Sequence, residues 1–185
     1  MSRSSTSRPR SESGAVLLEL ALALPMLVLL FLVSTEYIRA LQKRQTMSML
    51  VRELANSAFR DCVELDTSVE CLTQLVSNTL DPEAQQVLPG VEIMVSIYAY
   101  VTDPLTGTTS IQRLGMYPNP ACPPSGPCCV SPGHCSRYNL DLYTGPQTGF
   151  IKDQERIAIA EVYYRFSPII ESAPIGREFY DAAIY

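Results

Sequence analysis

The hydrophobic pattern divides the chain into an apolar N-terminal run and a longer region of mixed periodicity. Residues 1–13 read MSRSSTSRPRSES, with nothing to bury; such composition predicts disorder. After Gly14 the chain reads AVLLELALALPMLVLLFLV, apolar over 15–33 except at Glu19. At ~1.5 Å per residue, this run spans roughly 28 Å as a helix, close to the ~30 Å hydrocarbon core of a bilayer. The pattern predicts a transmembrane helix at 15–33. Over 34–60 there is no Gly and no Pro. Met47, Leu50, Val51, Leu54 and Ala58 fall on one helical face, so the helix is predicted to extend to about 60 with that stripe buried. Arg44, Gln45, Arg52 and Glu53 lie mostly outside it and read as a solvated face.

Beyond 60 the periodicity shortens. A second helix is predicted over 68–80, with Val69, Leu72, Leu75 and Val76 as its buried side and Asp81-Pro82 and Pro89-Gly90 marking its end. Residues 91–101 alternate strictly, placing Val91, Ile93, Val95, Ile97, Ala99 and Val101 on one face of a strand. Asp103-Pro104-Leu105-Thr106-Gly107 turns the chain, and 108–114 is its expected hairpin partner. Residues 156–166 alternate again through Ala158, Ala160, Val162, Tyr164 and Phe166, and 179–184 offers a weaker last strand. The expectation is an α+β fold: a long N-terminal helix running into a head (61–185) of three or four antiparallel strands packed on it.

Residues 116–137, MYPNPACPPSGPCCVSPGHCSR, hold six prolines and four of the six cysteines. They read as a surface loop without regular structure. Cys122, Cys128, Cys129 and Cys135, with His134 beside them, lack the C-x2-C knuckles of zinc sites, so no metal is expected and disulfides are favoured. Two local pairings remain open: 122–128 with 129–135, or 122–129 with 128–135. Cys62 and Cys71 are expected to pair with each other. Six cysteines in a chain of 185 residues favour an oxidising compartment. The charged flanks of the apolar run, Arg3, Arg8 and Arg10 on one side and Arg39, Lys43 and Arg44 on the other, leave its orientation undecided. The cysteines place the C-terminal part in the periplasm.

Net charge is −5, without the basic stripe of a nucleic-acid binder. No nucleophile elbow, H-E-x-x-H or phosphate loop occurs, and His134 and loop carboxylates such as Asp141 and Asp153 build no catalytic case. No enzyme and no cofactor are expected. A removable signal peptide fits poorly, because Ser34-Thr35-Glu36-Tyr37 follows the apolar run and the one A-x-A of the N-terminal region, Ala21-Leu22-Ala23, lies inside it.

Glu19 is costly in a membrane helix, although the helix start and headgroup level tolerate an anion. Its position is informative: Gly14, then Ala15, then Glu19 as the fifth residue from Ala15, with Pro25 inside the apolar run. This arrangement resembles the class III signal of type IV pilin-like proteins. AVLLELALALPMLVLLF with Pro25, continued by EYIRALQKRQTMSMLVRELANSAFRD, is similar to the TadE-like minor pseudopilins of the tight-adherence (Tad/Flp) pilus family. The phenylalanine that often follows the glutamate is Leu20 here. The likeness covers residues 10–60; beyond them only IAEVYYRFSPII resembles the family's late strand.

The resemblance implies a bacterial inner-membrane protein with a cytoplasmic N-terminus and a periplasmic head, cut by prepilin peptidase between Gly14 and Ala15. Removing the 1–14 leader takes away Arg3, Arg8, Arg10 and Glu12, a net +2, and so moves the chain from −5 to −7. It further implies that Glu19 neutralises the N-terminal amine of a neighbouring subunit, and that the helix docks with other pilin-like subunits and the pilus assembly platform. Pro25 removes a helical hydrogen bond, which kinks the span or is tolerated within it. The head is larger than a filament-forming Flp pilin needs, pointing to a minor, initiating or tip role in a Tad-type pilus or related secretion apparatus. TadF-like and TadG-like roles are not separated from it. The rival readings are a type II secretion pseudopilin or type IV minor pilin, whose Phe-Thr-Leu-Ile-Glu start is missing, an uncleaved signal-anchored periplasmic binding module, and a zinc enzyme.

Overall fold

A computed structural model describes residues 12–63, 68–102, 104, 105, 107, 109–118, 128–138, 156–169 and 176–185. The 1–11 part of the leader, Cys122, Asp103, Thr106, Asp141 and Asp153 lie outside them. Helix α1 runs Glu12–Cys62, with Pro25 inside it. The chain divides into two compact units. One gathers the described residues up to Ala40 with Pro168 and Ile169; the other comprises Leu41–Ser167 and Gly176–Tyr185.

In the first unit the apolar side chains of 16–33 are all exposed, as Leu17 (67 %) and Phe31 (69 %) illustrate. Apolar surface on that scale is not left to water. The helix is long and apolar enough to cross a membrane.

The second unit is the α+β head. Its sheet has the strand order β2-β1-β5-β6, all antiparallel, from β1 (Glu92–Thr102), β2 (Thr109–Tyr117), β5 (Arg156–Arg165) and β6 (Glu178–Ile184). β-branched and aromatic residues alternate through the two central strands, which is what a pleated, packed surface selects. The predicted helical stripe is the helix side of the core: Met47, Val51, Leu54 and Ala58, joined by Ala55 and Cys62, are buried against Ile93, Val95, Ile97, Ala158, Ala160 and Val162. Ser48 Oγ donates to Asp181 on β6, and the Arg156 guanidinium donates to the Val63 carbonyl, tying both ends of this helical segment to the sheet. Leu114 is an extra residue in β2, because Ile97 pairs with Gly115 but Tyr98 with Arg113. Such a bulge increases local twist.

Three expectations are corrected. The second helix does not stop at Asp81-Pro82. α2 (Ser68–Leu75) passes through a π-helical turn (Val76–Leu80) into α3 (Asp81–Val87), with Pro82 in the first turn of α3. A proline is admitted there because its missing N–H is not needed, and the widened π turn before it leaves room for the ring. The chain ends this helical stretch at Pro89-Gly90, where Gly90 takes φ +80° and its N–H donates to Gln85 Oε1 (2.9 Å) while Gln85 Nε2 donates to the Val91 carbonyl (2.7 Å). Val69 is exposed, while Leu72 and Val76 are buried.

The third correction concerns the Cys/Pro segment. Residues 128–138 are not a surface excursion: β3 (Cys129–Ser131) and β4 (His134–Cys135) form a hairpin around Pro132-Gly133, with Gly133 at φ +95°. Proline followed by a positive-φ glycine is what a type II turn requires. The Cys129–Cys135 disulfide closes the hairpin. It covers the second face of the sheet, so β1 and β5 are buried on both sides. Met94 and Met116 pack with Cys128 and Val130 there, and Tyr98, Ile111, Ile157 and Ile159 pack with Tyr138.

Candidate functional site

The residues singled out at the N-terminus share one helix. Gly14 and Glu19 are exposed on α1, and Glu19 follows Ala15 by four residues, one turn along. Pro25 has no N–H, so the Ala21 carbonyl loses its usual helical donor although α1 continues through the position. A carboxylate displayed on an otherwise apolar, exposed helix can do one thing well in a low-dielectric setting: hold a cation.

Past the apolar run, Glu36 is almost completely buried. Its Oε1 accepts from Arg39 Nη1 (3.0 Å) and from the backbone N–H of Ile169 (3.2 Å), while Oε2 is buried and has no hydrogen-bond partner among the described residues.

Two carboxylates hold the hairpin to the head. Glu161, 1 % exposed in the middle of β5, accepts from Ser136 Oγ, from the Arg137 backbone N–H (2.8 Å) and from Tyr180 OH (2.8 Å). The Arg137 guanidinium sits 4.0 Å over the Tyr180 ring, and Tyr163 OH donates to the Cys135 carbonyl. Burial, then the charge of Glu161, pushes the Tyr180 hydroxyl well above its ordinary range. Tyr163 is raised by the same two causes.

Glu92 Oε2 accepts from Ser131 Oγ (2.8 Å) and from His134 Nδ1 (2.6 Å), and the His134 ring stacks on Tyr163 with centroids 4.8 Å apart. Ser, His and Glu in contact suggest a nucleophilic triad, but the geometry refuses it. Ser131 also faces Nδ1 (3.2 Å), the nitrogen already engaged by the carboxylate. A triad needs serine and carboxylate on opposite ring nitrogens. Among the described residues no three His, Cys, Asp or Glu converge as a metal site.

Burial works to raise the Glu92 pKa, but hydrogen bonds from His134 and Ser131 outweigh it and hold the carboxyl below its usual value. A depressed carboxyl stabilises the fold above the unfolded pKa of about 4.3 and loses that contribution as pH falls through the lower folded value. Amide exchange across 128–138, corrected for intrinsic rates, should therefore accelerate below about pH 4 relative to pH 6. Glu92→Gln should remove most of that dependence; an unchanged profile in the variant would assign the acid sensitivity to another group.

Cys62 is bonded to Cys71 and Cys129 to Cys135; Cys128 is also disulfide-bonded, and among the described residues no cysteine is free. Of the two local pairings left open by the spacing, the structure contains the 129–135 bond of the first, while Cys122 lies outside the described residues. Sequence reasoning missed Glu36, Glu92 and Glu161. Glu161 carried a readable signal, a lone charge within the apolar strand IAIAEVYY, the same anomaly that marks Glu19.

No curated protein and no solved structure matches the chain. A family model described as TadE-like protein matches residues 14–56. The match starts at Gly14, takes in Ala15, Glu19 and Pro25, and ends within the packed half of α1. Over that segment the chain is similar to the TadE-like family.

Proposed function

We propose that the chain is a minor pseudopilin, cut by prepilin peptidase between Gly14 and Ala15, that contributes to the assembly, initiation or tip of a Tad-type pilus or pilus-like secretion apparatus. The observation that carries the reading is the TadE-like match over 14–56, laid on one helix whose apolar stretch is entirely exposed. In this reading 15–33 crosses the inner membrane once, with the N-terminus cytoplasmic and the head periplasmic. The bonded cysteines support an oxidising location for the head. The mature helix docks laterally with other pilin-like subunits and reaches the assembly platform, and Glu19 pairs with the amine freed at Ala15, on a neighbour or within its own helix. The work is structural: neither head carboxylate is arranged for chemistry on a substrate.

The test is the intact mass and N-terminal sequence of the protein purified from membranes, with and without Gly14→Ile. A β-branched side chain blocks the close backbone approach that glycine allows in a protease cleft. The parent chain is expected to begin at Ala15, and the variant to retain residues 1–14. A full-length parent chain would sink the pseudopilin reading and leave a signal-anchored binding module.

A further inference from the structure

The residues just past the apolar run carry a feature that helix docking does not use. Glu36 lies three residues beyond Val33, about 4.5 Å along the helix axis. At that level the chain returns from β5: the Ile169 N–H donates to Glu36 Oε1, and Arg39 holds the same oxygen. A buried carboxylate, 3 % exposed, thus fixes a single backbone position of the returning chain against the helix. What this anchoring displays is apolar. The Ile169 side chain is 76 % exposed and follows Pro168, and Tyr37 (57 %) and Ile38 (53 %) are exposed on the helix at the same level.

We propose that Pro168 and Ile169 form a lipid-contacting finger, held by Glu36 at the membrane interface, so that the protein meets the bilayer at a second point besides its spanning helix. The occupant follows from continuity. The exposed apolar surface of 16–33 runs on through Tyr37 and Ile38, and Ile169 is fixed to that same stretch of helix. Tyrosine is favoured at headgroup depth, where its ring is apolar and its hydroxyl wet, and Arg39, half-exposed beside it, suits anionic headgroups. Burying the Glu36 carboxylate under this return keeps its charge, paired with Arg39, away from the lipid.

The proposal rests on the spanning reading of 15–33, and the test separates the two. The chain contains no tryptophan, so single replacements report without background. Ile169→Trp and, separately, Leu24→Trp are made in the full chain and reconstituted in phosphatidylcholine and phosphatidylglycerol vesicles. The acyl chains carry bromine either near the headgroup or near the bilayer centre. Both positions are exposed, so neither replacement disturbs packing. Expected is blue-shifted emission for Ile169→Trp relative to N-acetyltryptophanamide, with the greater loss of intensity to the shallow bromines. Leu24→Trp should lose most to the deep ones. Quenching of Leu24→Trp alone, with Ile169→Trp emitting as in water, overturns the finger and leaves the span. Blue-shifted emission at Ile169→Trp that no bromine quenches also overturns it, in favour of a protein contact. Loss of quenching at both positions overturns the spanning reading and the finger together.

Discussion

Replacing Glu161 with alanine is expected to cost the head about 3–5 kcal/mol and to free the 128–138 hairpin from the sheet. The carboxylate is inaccessible at the centre of β5, and three donors converge on it: Ser136 Oγ, the Arg137 N–H and Tyr180 OH. Each buried donor left without a partner costs about 1–3 kcal/mol. The sum is not reached, because Arg137 is exposed and water can enter from its side. Glu161→Gln keeps an oxygen acceptor in place, so it should cost about 1 kcal/mol, the worth of an ordinary hydrogen bond. Denaturant unfolding of the full chain in detergent, followed by near-ultraviolet dichroism of its ten tyrosines, gives both values. A second readout isolates the electrostatics. The Glu161 charge is one reason the Tyr180 hydroxyl resists ionisation, after burial. Phenolate absorbance should therefore rise at lower pH in Glu161→Ala than in the parent. A loss below about 1 kcal/mol in Glu161→Ala would mean the carboxylate is already wet and the hairpin held by its apolar side alone.

That second side of the sheet is where the sequence was hardest to read. The helix stripe at Met47, Val51, Leu54 and Ala58 was legible because helical period and burial coincide. The odd positions from Val91, just before the start of β1, to Ile97 within it were legible for the corresponding reason in a strand. Alternation names the more apolar face, however, and implies that the other is wet. Met94, Ser96 and Tyr98 lie on that other face and are buried, because a segment some forty residues away folds over them. Nothing local to β1 encodes that cover. The cover itself was hidden by composition: Ser131-Pro132-Gly133-His134 is a turn with short flanks, and the five other prolines of 116–137 outweighed it. Pro82 misled in the opposite direction, since a proline ends a helix or begins one according to which side of it is helical. In the N-terminal region every signal lies within one continuous helix, so length, apolarity and the Gly14–Glu19 spacing could all be read without long-range contacts. Glu36 was missed because its partner, Ile169, is 133 residues away.

Under the proposed assembly role, Glu19→Ala should lower recovery of pilin-like subunits with this chain by about a hundredfold or more, while the head stays folded. The carboxylate is exposed on the apolar helix, and placing it alone at membrane depth costs about 2.5–3.5 kcal/mol. Alanine removes that penalty, so the isolated helix inserts at least as well as before. Assembly responds in the opposite sense: a partner's ammonium left facing alanine in lipid is an uncompensated charge, worth about 3–5 kcal/mol. At 1.4 kcal/mol per factor of ten, that range corresponds to roughly a hundredfold to several thousandfold in association. Cross-linking in membranes followed by co-purification measures it, and the thermal unfolding of the head, whose core begins at Met47 far from the substitution, serves as the internal control. Glu19→Gln separates charge from hydrogen bonding, since it can accept from an ammonium without neutralising it. If Gln restores assembly, a polar acceptor at this depth is sufficient and the amine pairing is not the selective contact. If neither variant differs from the parent, subunit register is set by the head, and Glu19 is a solvation cost without an assembly return.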